Sequence, residues 1–191
     1  ARSVDARSEL DYYGGPGGDD PNFTGDAEHR LLSGSVGFFV GDAWETSLKV
    51  SGSAHDRRDL NKPDPERPFT MELNFRGLAT QVELVNNLYI GDHSIITLGF
   101  DWEEETMESS TFSDEMGTYS STLEEKSATI GGIFLQEQFT ADSGLSLTLG
   151  ARSDDHSRFG VETTWRAGFS APLWETARLR AVYGTGFRAP S

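Results

Sequence analysis

The sequence predicts an all-β protein: one antiparallel, up-and-down sheet of about nine strands with the pattern of a transmembrane β-barrel segment. Three observations lead there. Segments alternate apolar and polar residues with a period of two, as in Leu145, Leu147, Leu149 and Ala151 against Ser146, Thr148, Gly150 and Arg152. Successive side chains of a strand point to opposite faces, so each such segment is a ribbon with one apolar and one wet side. The segments run to about 10–15 residues, beyond the 5 to 6 usual in globular strands and long enough for the roughly 9–11 that a tilted strand needs to cross a bilayer. Tight turns then alternate with longer polar loops, the asymmetry of a membrane barrel.

Ser3 to Tyr13 reads as a weak first strand running into GGPGGDDPNFTGDAE, a loop by its Gly, Pro and Asp content. Arg30 to Val40 forms the second, with Leu32, Gly34, Val36, Phe38 and Val40 on one face. Gly41-Asp42-Ala43 turns the chain into a third strand, with Trp44, Thr46, Leu48 and Val50 against Glu45, Ser47, Lys49 and Ser51. The stretch 55–70, with its prolines, predicts a loop. Met71 to Ile90 predicts the fourth strand, with a break near Gly77, and 91–94 a tight turn.

In the fifth strand Ile96, Leu98, Phe100 and Trp102 oppose Thr97, Gly99, Asp101 and Glu103; 107–126 follows as a third long loop. The sixth, Ala128 to Thr140, has no clear face, because Ile130 and Phe134 fall on one parity and Ile133, Leu135 and Phe139 on the other. A turn at 141–144, a short loop at 154–159 and a turn at 172–176 separate the last four strands. The segment 1–10 has no charged start followed by an apolar stretch, so no signal peptide is expected there.

Composition narrows the function. Of 191 residues, 31 are acidic and 16 basic, a net charge of −15 that removes the basic footprint a nucleic-acid binder needs. Cysteine is absent, which excludes disulfides and thiolate metal sites. No run of about 18 apolar residues exists, so no transmembrane helix is expected. Gly184-Thr185-Gly186-Phe187-Arg188-Ala189 matches a dinucleotide fingerprint in letters, but no βαβ alternation surrounds it. Close strand packing is the better reading of those glycines. The pairs Asp19–Asp20, Asp64–Glu66, Asp114–Glu115 and Glu124–Glu125 are read as solvated loop acids. Asp154-Asp155-His156 and Glu103-Glu104-Glu105 diverge along extended backbone, and the four histidines stand apart, so neither a metal nor a cofactor site is expected. No nucleophile elbow is present, and no enzyme is expected.

The segments GARSDDHSRFG, ETTWRAGFSAPL, RLRAVYGTGFRAPS and VNNLYIGDHSIITLGFDWEEET resemble the TonB-dependent outer-membrane receptors, most closely the cobalamin-receptor branch. A looser likeness extends back to about residue 10 and so covers nearly the whole chain, and residues 1–191 are read as one barrel domain. The resemblance implies a 22-stranded barrel in the bacterial outer membrane, importing a small-molecule metal chelate such as cobalamin or a siderophore on energy delivered by TonB. The sequence departs from that pattern in having no plug domain, no TonB box and no final C-terminal strand; the plug, TonB, outer-membrane lipid and lipopolysaccharide are the partners implied for the intact receptor. The competing readings are a passive porin or barrel enzyme, and a soluble all-β binding module. On the barrel reading, Glu45, Lys49, Asp101, Glu103, Arg152, Glu162, Arg166, Arg178 and Arg180 face the lumen, where neighbouring strands pair them. Ligand contacts are expected in the extracellular loops, at Arg57, Arg58, Tyr119 and Asp155.

Overall fold

The computed structural model describes residues 1–11, 20–174 and 176–187. These form nine strands: β1 (Arg2–Glu9), β2 (Phe23–Val40), β3 (Trp44–Asn61), β4 (Met71–Ile90), β5 (Ser94–Ser113), β6 (Tyr119–Thr140), β7 (Ser146–His156), β8 (Gly160–Trp174) and β9 (Ala177–Gly184). They make one sheet in simple sequence order, β1 to β9, with no crossover. The pairs β1–β2, β6–β7, β7–β8 and β8–β9 are antiparallel. The up-and-down topology expected from the turn spacing is the topology found.

The strands are longer than the hydrophobic alternation indicates. β3 continues to Asn61, through half of the expected 55–70 loop, and the 107–126 loop shrinks to residues 114–118. β2 begins at Phe23, inside the expected 14–28 loop, whose residues 14–19 lie outside those described, as do Tyr12 and Tyr13. The reason is that Phe23–His29, His55–Asn61 and the two flanks of 114–118 carry polar residues on both faces. Alternation is silent there, yet the backbone ladder needs no apolar side chain to close. No break occurs at Gly77. The Phe75 ring lies 3.3 Å from where a Cβ on Gly77 would stand, so that glycine serves packing and the strand runs on.

The connecting turns use glycine where the chain must enter the left-handed region. Val40-Gly41-Asp42-Ala43 and Ile90-Gly91-Asp92-His93 are the same device twice, with φ of 63° at Gly41 and 58° at Gly91. The chain divides into two compact units. One holds 1–33, 51–80 and 104–127; the other holds 34–50, 81–103 and 128–191.

Among the described residues neither unit shows an apolar core. Among the described residues, Phe23 is the one large hydrophobe that is buried, while Ile133, Leu135, Leu149 and Val161 stay 61%, 52%, 58% and 65% exposed. β6 to β9 show why. Their register pairs Phe134 with Arg152, Arg152 with Thr164, Gly150 with Arg166, and Ser170 with Arg180. Even-numbered positions thus share a face that is charged and polar. The other face reads Ile133, Leu135, Leu147, Leu149, Val161, Trp165, Phe169, Leu179 and Ala181. The undecided faces of β6 are settled by this register: Gly132, Phe134 and Gln136 lie with the charges, Ile133 and Leu135 with the apolar set.

Candidate functional site

The charged face is organised around Arg152. Its guanidinium donates to Asp101 through both terminal nitrogens, at 2.6 and 2.7 Å, and its Nε donates to Asp154 at 2.8 and 2.9 Å. A planar fork of donors suits two carboxylates at once. Asp154 retains only a tenth of its side-chain exposure, Asp101 a fifth and Arg152 about a third. Two acids against one base leave the cluster with a net charge of −1.

Glycine makes room for it. A Cβ on Gly132 would stand 2.3 Å from an Arg152 nitrogen and 2.5 Å from an Asp154 oxygen. One strand over, a Cβ on Gly99 would stand 2.1 Å from Cζ of Phe134, so the ring lies flat on the β5 backbone. Phe134 also presents its ring to the Arg152 guanidinium, 5.8 Å from the centroid. Sequence reading singled out Asp101 and Arg152 but missed Asp154, Phe134 and the two glycines. The phase of the sixth strand was the missing signal, and both Gly132 and Phe134 depend on it.

The other charges of that face make lighter contacts. Arg166 donates to Gln136. Arg178 donates to Ser170 Oγ at 3.3 Å and to the Gly144 carbonyl at 2.8 Å. Glu103 accepts from Gln81 at 3.4 Å. Glu45 accepts from Tyr89 Oη at 2.8 Å and Asn87 at 3.2 Å, and Thr97 donates onward to Asn87. Lys49, Glu162 and Arg180 are exposed. Glu162 stands opposite Asp154 in the ladder, and Arg180 opposite Ser170.

In the other unit, Arg57 and Arg58 both border a groove of about 1040 Å³ that also touches Phe75, Arg76, Glu108 and Leu123. Adjacent strand residues face opposite ways, so only one of the two arginine side chains can enter it. Arg57 binds Asp59 at 2.8 Å; Arg58 takes the other face and pairs with Glu72 at 2.9 Å. Tyr119 and Asp155 are outside the groove: Tyr119 opens β6, and Asp155 pairs with Gly131 and Val161 on the apolar parity. On the parity of Arg57 stands an aromatic row the sequence did not reveal. His29 meets His55 at 5.9 Å between ring centroids, and His55 meets Phe75 at 5.9 Å.

The loop after β3 is tied by Asp64. Its Oδ1 accepts from the backbone of Glu66 at 2.8 Å and Arg67 at 2.7 Å, and its Oδ2 accepts from Asn22 at 2.7 Å. The Arg67 amide, then the Asn22 side chain, hold this carboxyl below the usual carboxylate value.

A family model described as TonB dependent receptor-like, beta-barrel, matches residues 2–191. The chain belongs to the TonB-dependent receptor family. Membership places it among receptors and transporters, not enzymes. Its similarity to the vitamin B12 transporter BtuB of Vibrio vulnificus (strain CMCP6) is 28% identity over 112 residues, 59% of this chain and 18% of that protein. Among solved structures it is similar to the RagAB peptide transporter (TM-score 0.66, 13% identity), covering 85% of this chain and 23% of that one. It is also similar to the unliganded ferric citrate transporter FecA (0.59, 11%; 86% and 28%). A third is the siderophore receptor PirA of Pseudomonas aeruginosa (0.52, 18%; 88% and 37%). At these identities the solved structures show a shared fold. The chain spans under a fifth of the BtuB relative, so this TonB-dependent receptor barrel sequence corresponds to a part of such proteins' length. The weak dinucleotide fingerprint resolves as strand packing at its first glycine: a Cβ on Gly184 would stand 2.7 Å from the Trp165 carbonyl. Arg188 and Ala189 lie outside the described residues.

Two expectations follow. Arg152→Met should destabilise the intact receptor by about 1–3 kcal/mol, because Asp101 and Asp154 are left facing each other without a cation. Adding Asp101→Asn and Asp154→Asn should restore at least half, as read from denaturant unfolding in lipid vesicles; no restoration would mean that the arginine acts by bulk alone. At Asp64, a lowered carboxyl contributes fully above the ordinary carboxylate value and its contribution disappears as pH falls through the lowered one. Hydrogen-exchange protection at Glu66 and Arg67 should follow that course in the wild type and lose its pH step in Asp64→Asn.

Proposed function

We propose that this chain forms part of the wall of a bacterial outer-membrane barrel that imports a small-molecule metal chelate, cobalamin or a siderophore-like ligand, using energy from TonB. The observation that carries the reading is the unburied apolar face. A water-soluble sheet would hide Leu147, Leu149, Trp165 and Phe169 against a second layer, and patches of this extent on a monomer mark an interaction surface. Lipid is the occupant that a nine-stranded antiparallel sheet with one apolar and one charged face fits best. Trp44, which donates to Asn86 at 3.0 Å beside the Gly41 turn, and Trp165 against Tyr183 at 5.4 Å are amphipathic rings of the kind that sit at a bilayer interface.

On this reading the face of Arg152 is the lumen. Lys49, Asp101, Glu103, Glu162, Arg166, Arg178 and Arg180 lie in water there, beside the plug of the intact receptor. The Asp101–Arg152–Asp154 cluster is chiefly a brace between β5 and β7. Ligand contact falls to Arg57 and the His29–His55–Phe75 row, which offer a cation and flat rings on one face. Arg58 and Asp155 turn to the other face, and Tyr119 stands apart from the row. BtuB, FecA and PirA are named for vitamin B12, ferric citrate and siderophores, and these relatives support the chelate class.

Two measurements test it. In the intact receptor, Leu149→Arg should impair membrane assembly, since a basic residue facing lipid near the midplane costs roughly 2–4 kcal/mol, while Thr148→Arg should be tolerated. Equal assembly would mean that the Leu149 face never meets lipid. The assembled receptor should bind either cyanocobalamin or a ferric siderophore, with affinity lowered at least about fivefold by Arg57→Gln through loss of one charged contact. Silence toward both ligand types would remove the chelate reading.

A further inference from the structure

Strand neighbours β2 and β3 bring two histidines onto one face. The rings of His29 and His55 meet edge to face, 5.9 Å between centroids and 78° between planes. Phe75 of β4 stands on the far side of His55, also at 5.9 Å. Directly opposite His29 on β1 is Val4, whose side chain offers no polar group. Neither imidazole makes a hydrogen bond or ion pair to a described residue. Their nitrogens are open, and a neutral imidazole nitrogen is the commonest protein ligand for a metal.

The spacing restricts what the pair can hold. Imidazole nitrogens bind transition metals at about 2.0–2.1 Å, so two rings on adjacent positions of one ion have centroids roughly 4.5 Å apart. Small side-chain rotations of His29 and His55 cover the difference from the observed spacing. Two imidazoles do not complete a metal's shell. Among the described residues no group of three His, Cys, Asp or Glu side chains could hold an ion. A bare ion would be under-ligated here, whereas a metal that brings its own chelator and two water-filled positions would be completed. Imidazole suits zinc, nickel and copper, and copper(II) stands highest in affinity. Arg57, on the face of His55, gives Nε and one terminal nitrogen to Asp59. Its other terminal nitrogen keeps donors for a carboxylate of the chelator.

We propose that His29 and His55 bind the metal of an incompletely chelated divalent transition-metal complex, copper(II) above all, while Arg57 takes a carboxylate of its chelator. The step is a ligand substitution: two imidazole nitrogens form bonds to the metal, two water molecules leave, and no electron is transferred. The proposal rests on the reading of this row as the ligand-contact surface of a chelate importer, and it narrows the ligand to chelates with open positions.

The test uses the intact receptor in detergent micelles with two probes. Copper(II) nitrilotriacetate has two adjacent positions open; copper(II) ethylenediaminetetraacetate has none. The receptor should bind the first at least about tenfold more tightly, because the second imidazole binds intramolecularly once the first has bound. Electron spin-echo spectra of the bound copper should carry the modulation of two imidazoles. His29→Gln and His55→Gln should each lose that pattern and weaken binding at least about tenfold. Heat-modifiable migration reports assembly separately. If His55→Gln does not assemble, His29→Gln, at an exposed position, is read alone. Binding of cyanocobalamin or a ferric siderophore with no preference between the copper complexes would leave the chelate reading intact and remove this proposal alone. A one-imidazole spectrum in the wild type, or unchanged binding by assembled His29→Gln, also overturns it.

Discussion

The structure depends on the backbone ladder of a single antiparallel sheet. In most domains apolar burial sets the stability and hydrogen bonds mainly avoid a penalty. Here the described residues supply almost no buried apolar side chain, and Phe23 is the exception. What joins Thr24–Leu31 to β1, or β7 to β8 across eleven consecutive pairs, is main-chain pairing. Such a ladder is sensitive to its surroundings. In water, exposed strand amides exchange readily with solvent partners; next to hydrocarbon they have no alternative, and each unmade bond becomes expensive. On the reading that its apolar face lies in lipid, a sheet with this sequence gains its stability from that medium.

The same constraint explains where polar interactions concentrate. Charges in mid-strand can persist only on the face that keeps water, and there they must still be reconciled with neighbours about 5 Å away. Asp101 on β5 and Asp154 on β7 are brought to one guanidinium across the intervening strand β6. That strand offers Gly132 at the crossing point and Phe134 beside it. The glycines are thus part of the ion cluster: side chains on β6 or β5 at those positions would hold the arginine and its acids apart. Glu45, Asn87, Tyr89 and Thr97 show a neutral-rich version of the same solution near the turns, where hydroxyl and amide groups satisfy one carboxylate.

Period-two alternation made much of this legible. It gave the strand order, the turns at Gly41 and Gly91, and the separation of Leu147, Leu149 and Trp165 from Arg152 and Arg166, because those residues differ sharply in polarity from one position to the next. It failed where polarity does not alternate. The polar extensions of β3 to Asn61 and of β5 to Ser113 look like loops in composition, and β6, with Ile130, Ile133, Phe134 and Leu135 crowded together, has no unique phase. The site suffered most from that gap, since the role of Gly132 and Phe134 follows only from the register with Asp154 and Arg152. The aromatic row was hidden for a different reason: His29, His55 and Phe75 are far apart in sequence and meet only through antiparallel pairing.

Polar extensions of the strands also carry a functional consequence. A pair such as Arg57 and Arg58 looks in sequence like one basic spot in a loop, able to converge on one ligand. Held in an extended strand, the two side chains are committed to opposite faces, each with its own acid, Asp59 for one and Glu72 for the other. Extending the sheet past its apolar stretch therefore divides adjacent charges between two environments. One set joins the row of His55 and Phe75; the other takes the opposite face with Glu72. A flexible loop could not keep such a division, because its arginines would sample both sides. The strand makes the assignment by backbone geometry alone, and this lets a single sheet present two different chemistries from consecutive residues.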